Sequence, residues 1–243
     1  SNTMICKRFF LITFFSLSIN FTFGETNISE INPETILYKS IDNIDLNLYV
    51  YRPENFNSSK IYKCIVFFHG GAWKNQYIKQ FEKQSVYFAS RGMIAIIAEY
   101  RVTSIHNSTP FQSVEDAKSA IRYIRSNSKS LSLEPEKIAV SGGSAGGHLA
   151  AASANISNYD NINENLKISS KPNLLILFNP ILDTTPGAWG YGSFMRRVGN
   201  KITDNPYEIS PIHNISNNTP PTIILTGTND NLVPVIKINE YKE

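Results

Sequence analysis

KIAVSGGSAGGHLAAA, from Lys137 to Ala152, is the most informative stretch of the sequence. A short apolar run, Ile138–Val140, meets a glycine-rich turn and then a run of good helix formers. Residues 142–146, GGSAG, fit the pattern GxSxG, in which a serine occupies a strained turn between a strand and a helix. Such a turn lifts the hydroxyl clear of the backbone at a helix N-terminus, whose partial positive charge favours a developing anion. Ser144 is therefore a candidate nucleophile; the alternative is a plain Gly-Ser turn.

A second glycine motif follows the apolar run Ile65–Phe68, where residues 69–73 read HGGAW. On these two motifs the chain resembles the hormone-sensitive-lipase-like and acetyl-esterase branch of the α/β-hydrolase superfamily, which includes acetyl xylan and feruloyl esterase-like proteins. The resemblance implies that the backbone N–H groups of Gly71, Ala72 and Ala145 form an oxyanion hole. Losing one such donor typically costs about 100-fold or more in rate. The alternative is a strand that ends in a glycine turn beside a core tryptophan.

A candidate acid lies in the third motif. The apolar run Thr222–Thr226 is followed by GTND at 227–230 and by LVP at 232–234, which resembles the GTxDxxVP stretch of the same family. In the α/β-hydrolase order the acid follows the serine, so Asp230 is expected to orient a histidine by accepting its ring N–H. Aspartate in a turn also commonly bonds its own backbone, which is the alternative role.

The histidine base is missing from its expected place, because no histidine follows Asp230. His69 belongs to the second motif, His106 lies in a polar stretch, and His148 is expected to pack or hydrogen-bond on the helix after the candidate nucleophile. His213 remains a substitute base, since catalytic side chains meet in space rather than in sequence order.

Both ends of the sequence suggest a partial chain. The C-terminus reads as stopping inside a helix that begins near Pro234, so we expect a fold that lacks its C-terminal strand and helix. Those elements would need roughly 25 to 40 residues and would carry the base. Ser1–Thr3 precede Met4 and fit an expression scar or a partial reading frame. We therefore expect poor activity from these 243 residues.

Composition and the N-terminus set the class of protein. With 243 residues and 42% hydrophobic content, the chain suits one α/β domain, residues 25–243. Its net charge of +3 is small and its basic residues are scattered, which argues against nucleic-acid binding. Residues 1–24, with Lys7 and Arg8 before an apolar run, read as a signal peptide; an uncleaved anchor is the alternative. After cleavage Cys64 would be the one cysteine, so no intramolecular disulfide could form.

Apolar patterning predicts a mostly parallel sheet with helices on both faces and an antiparallel hairpin at the N-terminal edge. The predicted strands are Ile36–Ile41, Asp45–Tyr51, Tyr62–Phe68, Met93–Ala98, the run before Ser141, Leu174–Phe178 and Thr222–Thr226, and the predicted helices are Lys79–Arg91, Phe111–Leu131 and the one after Ser144. Within Phe111–Leu131, the spacing places Val114 and Ile121 in the core and Lys118, Arg122 and Arg125 in solvent.

Three further segments carry expectations. Asn155–Lys171 is polar and reads as a surface loop. Asp183–Pro211 reads as a loop whose aromatic residues either cover the acyl pocket or anchor the segment to the core. Tyr100-Arg101 resembles a conserved pair of the family, which we interpret as structural support for the HGGAW loop.

These features together predict a secreted or periplasmic serine esterase that acts on short acyl esters through a Ser-His-Asp acyl-enzyme mechanism. Acetyl groups on a polysaccharide such as xylan are the candidate substrate. No cofactor or metal is expected, nor is a nucleic-acid partner or a stable membrane association after signal cleavage. An amidase, formamidase or peptidase of the same fold is one alternative. A non-catalytic binding protein of this fold is another.

Overall fold

A seven-stranded sheet organises the residues that the computed structural model describes, namely 32–199, 205–227 and 241. Its strands are β1 (Glu34–Ile41), β2 (Ile44–Tyr51), β3 (Tyr62–Phe68), β4 (Ile94–Ala98), β5 (Leu133–Gly143), β6 (Leu174–Phe178) and β7 (Thr222–Leu225). The helices are α1 (Glu82–Ser90), α2 (Thr103–His106), α3 (Pro110–Ser126), α4 (Ser128–Leu131), α5 (Ala145–Asn155) and α6 (Tyr191–Val198), and 3-10 turns span Ile78–Phe81, Pro206–Ile209 and Pro211–Asn214.

The strands follow the order β1-β2-β4-β3-β5-β6-β7. The first two pairings, β1 with β2 and β2 with β4, are antiparallel, and the other four are parallel. Asp42 and Asn43 join β1 to β2 with φ of 51° and 60°, the left-handed pair that a tight hairpin turn requires. This confirms the predicted α/β architecture and its N-terminal hairpin.

Helices cover both faces of the central strands. In β3, Cys64, Val66 and Phe68 join the core that also contains apolar residues of α3 and α5. Phe67 points to the opposite face, since side chains alternate along a strand, and there it stacks on Phe81 at 5.0 Å between ring centroids. From Cys64 to Phe68, β3 is buried on both sides and reads as a continuous apolar run, as parallel strands of this kind do.

The predicted helix Phe111–Leu131 is two helices, which corrects its boundary. Thr109 and Gln112 form a capping box at the start of α3, with Pro110 in its first turn. The helix ends at Ser126, and Asn127 donates its side-chain amide to the Tyr123 carbonyl at 2.8 Å. This side-chain hydrogen bond helps to satisfy a carbonyl at the end of the helix, where backbone partners from a further helical turn are missing.

The predicted solvent-exposed face of that helix was wrong. Lys118 and Arg122 are 2% and 5% exposed, because the segment after α5 folds over them. Asp160 pairs with both cations, with 2.8 Å between its Oδ2 and the Lys118 Nζ, and Glu164 pairs with Arg122 at 2.7 Å. Arg125 is half-buried and donates to carbonyl oxygens of the same segment. The loop Asn155–Lys171 supplies the counter-charges, so burial of these side chains is compensated.

The segment Asp183–Pro211 also differs from its prediction as a loop. It contains α6 and the turn Pro206–Ile209. Phe194 of α6 is fully buried and packs edge-on to Trp73 at 6.4 Å and to Phe111 at 5.6 Å. The aromatic at this position therefore anchors the segment to the core, while Trp189 remains 41% exposed.

Three of the expectations fall wholly or mostly on residues that the structure does not describe. The predicted signal peptide, residues 1–24, and Asp230 lie outside the described ranges, as does the helix predicted from near Pro234 except for residue 241. Across those ranges, every helix is too short or too polar to cross a bilayer. Cys64 is buried in β3, and burial raises the pKa of its thiol above the usual range.

Candidate active site

Ser144 lies at the sharp turn between β5 and α5. Its backbone adopts φ 52° and ψ −116°, a conformation that costs a non-glycine residue about 1–3 kcal/mol and persists only where the surroundings enforce it. A Cβ at Gly142 would lie 2.4 Å from the Gly146 backbone, and one at Gly146 would lie 2.1 Å from the Phe68 carbonyl oxygen. The two glycines therefore allow the strand, the turn and the helix to approach more closely than any side chain permits.

The HGGAW loop, residues 69–73, carries three successive residues with positive φ. Gly71 has φ 121°, and a Cβ there would lie 2.5 Å from the Asn75 carbonyl oxygen. Ala72 and Trp73 have φ 54° and 56°, so the strain extends to residues with side chains. The Trp73 side chain is fully buried and holds the end of the loop in the core.

The loop and the turn at Ser144 lie against each other. A Cβ on Gly70 would lie 3.0 Å from the Gly143 carbonyl oxygen and 3.5 Å from the Ser144 Cβ. Within the described residues, the N–H groups of Gly71, Ala72 and Ala145 donate no hydrogen bond.

The carbonyl of each of the same three peptide units does accept a hydrogen bond. The Gly70 oxygen lies 2.5 Å from the His69 Nδ1, and the Gly71 oxygen accepts from the Lys74 and Asn75 N–H groups at 2.9 and 3.1 Å. The Ser144 oxygen accepts from two backbone N–H groups, those of residues 148 and 181, at 3.0 and 3.2 Å. Hydrogen bonds to the carbonyls polarise these peptide units and leave their N–H ends as strong donors.

The sequence profile of the BD-FAE family matches residues 48–188, a span that contains both glycine motifs and ends before Asp230. The chain belongs to the BD-FAE family. The apo structure of Thermogutta terrifontis esterase 2 is 41% identical, with a TM-score of 0.80 over 86% of this chain and 77% of that one. The BD-FAE chain is therefore related to an esterase of α/β-hydrolase fold.

Curated relatives of this BD-FAE chain include a xylanase and an acetylxylan esterase. It is 29% identical to endo-1,4-beta-xylanase B of Butyrivibrio fibrisolvens over 71% of its length, and 27% identical to acetylxylan esterase of Xylanibacter ruminicola over 60%. The alignments cover 28% and 29% of those two proteins. The chain thus spans well under half of each of these relatives.

His69 supports the HGGAW loop of this BD-FAE domain rather than acting as a base. Its ring is fully buried and stacks on Tyr100 at 4.4 Å, and the Tyr100 hydroxyl donates to the His69 carbonyl at 2.7 Å. Burial lowers the pKa of His69 to about 4, against a backbone hydrogen bond to Gly70 that raises it. A neutral ring with its proton on Nδ1 accounts for the short contact to the Gly70 oxygen.

His148 ties the first turns of α5 to two other elements. The Trp73 Nε1 donates to its Nδ1 at 3.3 Å, so the proton of the neutral ring is on Nε2, which donates to the Ile209 carbonyl at 2.7 Å. Its pKa falls to about 4 because the ring is completely buried, although the bond to Ile209 opposes this shift. His148 packs and hydrogen-bonds, as predicted.

His106 and His213 are engaged elsewhere in the fold. His106 Nδ1 accepts from the Val102 N–H at 2.9 Å, and burial lowers its pKa. His213 Nδ1 lies 2.8 Å from the Ser210 hydroxyl and 4.0 Å from Asp183. All four histidines of the sequence lie in described segments, and across those segments the Ser144 hydroxyl has no hydrogen bond to any of them.

Arg101 connects the end of β4 to α3. Its Nε donates to Asp116 at 2.8 Å and its Nη2 to Glu115 at 3.0 Å, while Lys39 contacts both carboxylates at 2.7 Å. This network fixes the chain directly after Tyr100, which holds the HGGAW loop. Tyr100 and Arg101 therefore support the HGGAW loop, as the sequence suggested.

Two contacts to the HGGAW loop were not identified from the sequence. Gln80 accepts the Gly70 N–H with its side-chain oxygen at 2.6 Å, and Arg197 of α6 donates to the Ala72 carbonyl at 3.2 Å. Neither residue lies in a motif, so no sequence signal points to it. The described residues contain no cluster of three or more metal-binding side chains.

Proposed function

We propose that the chain is the α/β-hydrolase domain of a serine carboxylic ester hydrolase, with Ser144 as the nucleophile. The observation that carries the proposal is the junction between the turn and the HGGAW loop. A strained serine lies against the HGGAW loop. Among the described residues, the N–H groups of Gly71, Ala72 and Ala145 donate no hydrogen bond, while their peptide units are hydrogen-bonded on the carbonyl side. Donors fixed before the reaction are what stabilises a developing oxyanion.

In this mechanism the Ser144 Oγ attacks the ester carbonyl carbon while a histidine takes its proton. The negative charge moves to the carbonyl oxygen, which accepts from the three N–H groups. The C–O bond to the alcohol then breaks, and the alcohol leaves with the proton from the histidine. Water attacks the acyl-enzyme in the same way and releases the carboxylic acid.

Asp230 orients that histidine in the proposal by accepting its ring N–H. No histidine follows Asp230 among the 243 residues, and the four present are engaged as described above. The role of the base is therefore assigned to none of these four histidines.

Short acyl esters are the proposed substrates, and acetylated polysaccharide such as xylan is the proposed natural source. Thermogutta terrifontis esterase 2 has been seen with propionate and with butyrate bound, and two curated relatives are a xylanase and an acetylxylan esterase. A polysaccharide such as xylan stays outside the cell, which accords with the proposed secretion through residues 1–24.

The test is hydrolysis of 4-nitrophenyl acetate and release of acetate from acetylated xylan, by the protein as its gene encodes it. Ser144→Ala should lower both rates at least 1,000-fold. Ser141→Ala is the matched control, since its buried hydroxyl has no partner in the described residues and its loss should leave the rates unchanged. Full activity in Ser144→Ala contradicts the proposed nucleophile, and absent acetate release contradicts the proposed substrate.

A further inference from the structure

Residues 75–80 form the exposed rim of the HGGAW loop. Tyr77 is 50% exposed, and Gln80 is also exposed. Both nevertheless contact the glycines of the loop, so their solvent-facing atoms lie beside the residues that the proposed mechanism uses.

Gln80 has one polar end engaged and the other available. Its Oε1 accepts the Gly70 N–H at 2.6 Å, whereas within the described residues its amide NH2 has no hydrogen-bond partner. The point where a Cβ of Gly70 would stand is 3.4 Å from this Oε1 and 3.5 Å from the Ser144 Cβ. The side-chain amide and the proposed nucleophile therefore flank the same small space.

Tyr77 lies against the next glycine. Two of its ring carbons are 3.1 and 3.2 Å from where a Cβ of Gly71 would stand. Its hydroxyl accepts from the Asn75 side-chain amide at 3.2 Å, which leaves the hydroxyl proton free to donate.

Gly143, in the turn at Ser144, has an apolar neighbour. The ring of Phe81 would come within 3.3 Å of a Cβ on Gly143, and it packs beside Phe178 at 5.9 Å between centroids. Phe81 is buried, unlike Tyr77 and Gln80. The surroundings of Ser144 thus divide into a buried apolar side and an exposed polar rim.

We propose that Tyr77 and Gln80 bind the alcohol part of the ester and determine the preference for that alcohol. The inference rests on the proposed function, in which the alcohol is a carbohydrate, and adds the two residues that recognise it. A short acyl chain has no polar atom besides its carbonyl, which the backbone N–H groups take, so free donors on the rim can match only the alcohol. An exposed aromatic face and amide donors together suit the C–H face and the hydroxyl groups of a sugar ring.

Exposure supports the same assignment. A polysaccharide must remain in solvent while one of its acyl groups enters the site, so the residues that bind it lie at the entrance. The buried Phe81 and the half-buried Phe178 on the other side suit the acyl group, because burying apolar surface favours binding there.

The test compares two acetate esters that differ in the alcohol, an acetylated xylo-oligosaccharide and methyl acetate. The measured quantity is the ratio of their kcat/KM values, which cancels any general effect on the catalytic loop. Tyr77→Ala and Gln80→Glu should each lower this ratio about three- to tenfold. Gln80→Glu retains an oxygen for the Gly70 N–H and removes the amide donor, and Lys79→Ala, an exposed neighbour without a contact to the loop, should leave the ratio unchanged.

A second measurement is independent of turnover. In a Ser144→Ala background, Tyr77→Ala should weaken binding of the same oligosaccharide about three- to tenfold, as measured by calorimetry. An unchanged ratio and unchanged binding overturn the inference. The inference is also overturned if the variants change the preference for acetyl over butyryl methyl esters and leave the preference for the alcohol unchanged. Hydrolysis that survives in Ser144→Ala instead refutes the proposed function, which keeps the two failures distinguishable.

Discussion

Two junctions hold this domain together in opposite ways. At the first, the HGGAW loop meets the elbow (residues 142–146), and the backbones can approach because glycine has no side chain. A methyl group on Gly146 would stand 2.1 Å from a carbonyl oxygen. At the second, α3 meets the segment 156–173, and the contact depends on long charged side chains, with Arg122 bridging Asp160 and Glu164.

This difference determines how each junction responds to an amino-acid substitution. A backbone contact has no rotatable atoms that could move aside, so an added methyl group must displace the main chain. A contact made by lysine and arginine side chains is adaptable in shape, but removing one partner leaves a buried charge without compensation. The first junction should therefore be sensitive to an increase in side-chain volume, and the second to the loss of a side-chain charge.

Among substitutions that test the two junctions, Gly146→Ala should have the largest effect. The new Cβ would collide with the Phe68 and His69 carbonyls, so the elbow must shift relative to the loop. A misplacement of about 1 Å costs on the order of 100-fold in rate, and we expect at least this loss in kcat/KM for a short-chain ester.

Gly143→Ala is the matched control for this prediction. The atom nearest to its Cβ would be the tip of the Phe81 ring, at 3.3 Å, and that side chain can move, while the Phe178 carbonyl oxygen would be at an ordinary contact distance of 3.8 Å. Activity should stay within about threefold of the unchanged protein. Equal losses in the two variants would show that the close backbone contact is not what distinguishes the elbow.

At the second junction, Arg122→Met should lower the free energy of unfolding by about 3 kcal/mol, because it leaves Glu164 without its cation. The kcat of the folded molecules should not change, since the junction lies away from the HGGAW loop in every contact described. Urea denaturation measures the loss, and Lys83→Met, an exposed residue of α1, serves as the control with an effect near zero. A loss of kcat in Arg122→Met would contradict the separation of the two junctions.

Acid should weaken the first junction. Burial lowers the pKa of His148 to about 4, below the value of about 6.5 in an unfolded chain, so between these values the unfolded state binds more protons. Stability is therefore full above about pH 6.5 and falls as the pH drops towards 4. This group alone should lower the free energy of unfolding by about 2 kcal/mol between pH 7 and pH 5.

Denaturation of His148→Gln at the two pH values isolates this contribution. The variant lacks the titrating ring, so its loss between pH 7 and pH 5 should be smaller by about 2 kcal/mol, whatever its stability at pH 7. An identical pH dependence in both proteins would mean that His148 is not held neutral by the fold.

The smallest expected effect concerns the link from α6 to the HGGAW loop. Arg197→Gln removes the cation that donates to the Ala72 carbonyl at 3.2 Å, and we expect about a tenfold fall in kcat with little change in KM. Arg196→Gln is the neighbouring control, since Arg196 instead donates to Ser193 on the same helix. Equal effects of the two variants would indicate a general influence of charge and not support of the loop.

The sequence predicted the first junction well and the second one poorly, for a physical reason. A glycine at a fixed distance from a serine or histidine marks a position where a side chain cannot fit, and this constraint is local. The charges of Lys118 and Arg122 predicted exposure because their partners, Asp160 and Glu164, lie about 40 residues further along the chain. Only the folded structure brings the opposite charges together.

The same distinction explains what was missed around the candidate site. Gln80 and Arg197 act on the HGGAW loop through single hydrogen bonds from ordinary surface sequence, so no spacing or composition marks them. The strand bounds of β3 and β6 were predicted to the residue. In β6 the apolar run Leu174–Phe178 is flanked by Asn173 and Asn179, so the pattern fixes both ends.

The most direct test of the account is to identify the residue that a fluorophosphonate modifies. After treatment and trypsin digestion, mass spectrometry should find the adduct on Ser144 in the peptide Ile138–Lys167, and Ser144→Ala should abolish it. An adduct on another residue, or ester hydrolysis that persists without any adduct, would contradict Ser144 as the nucleophile.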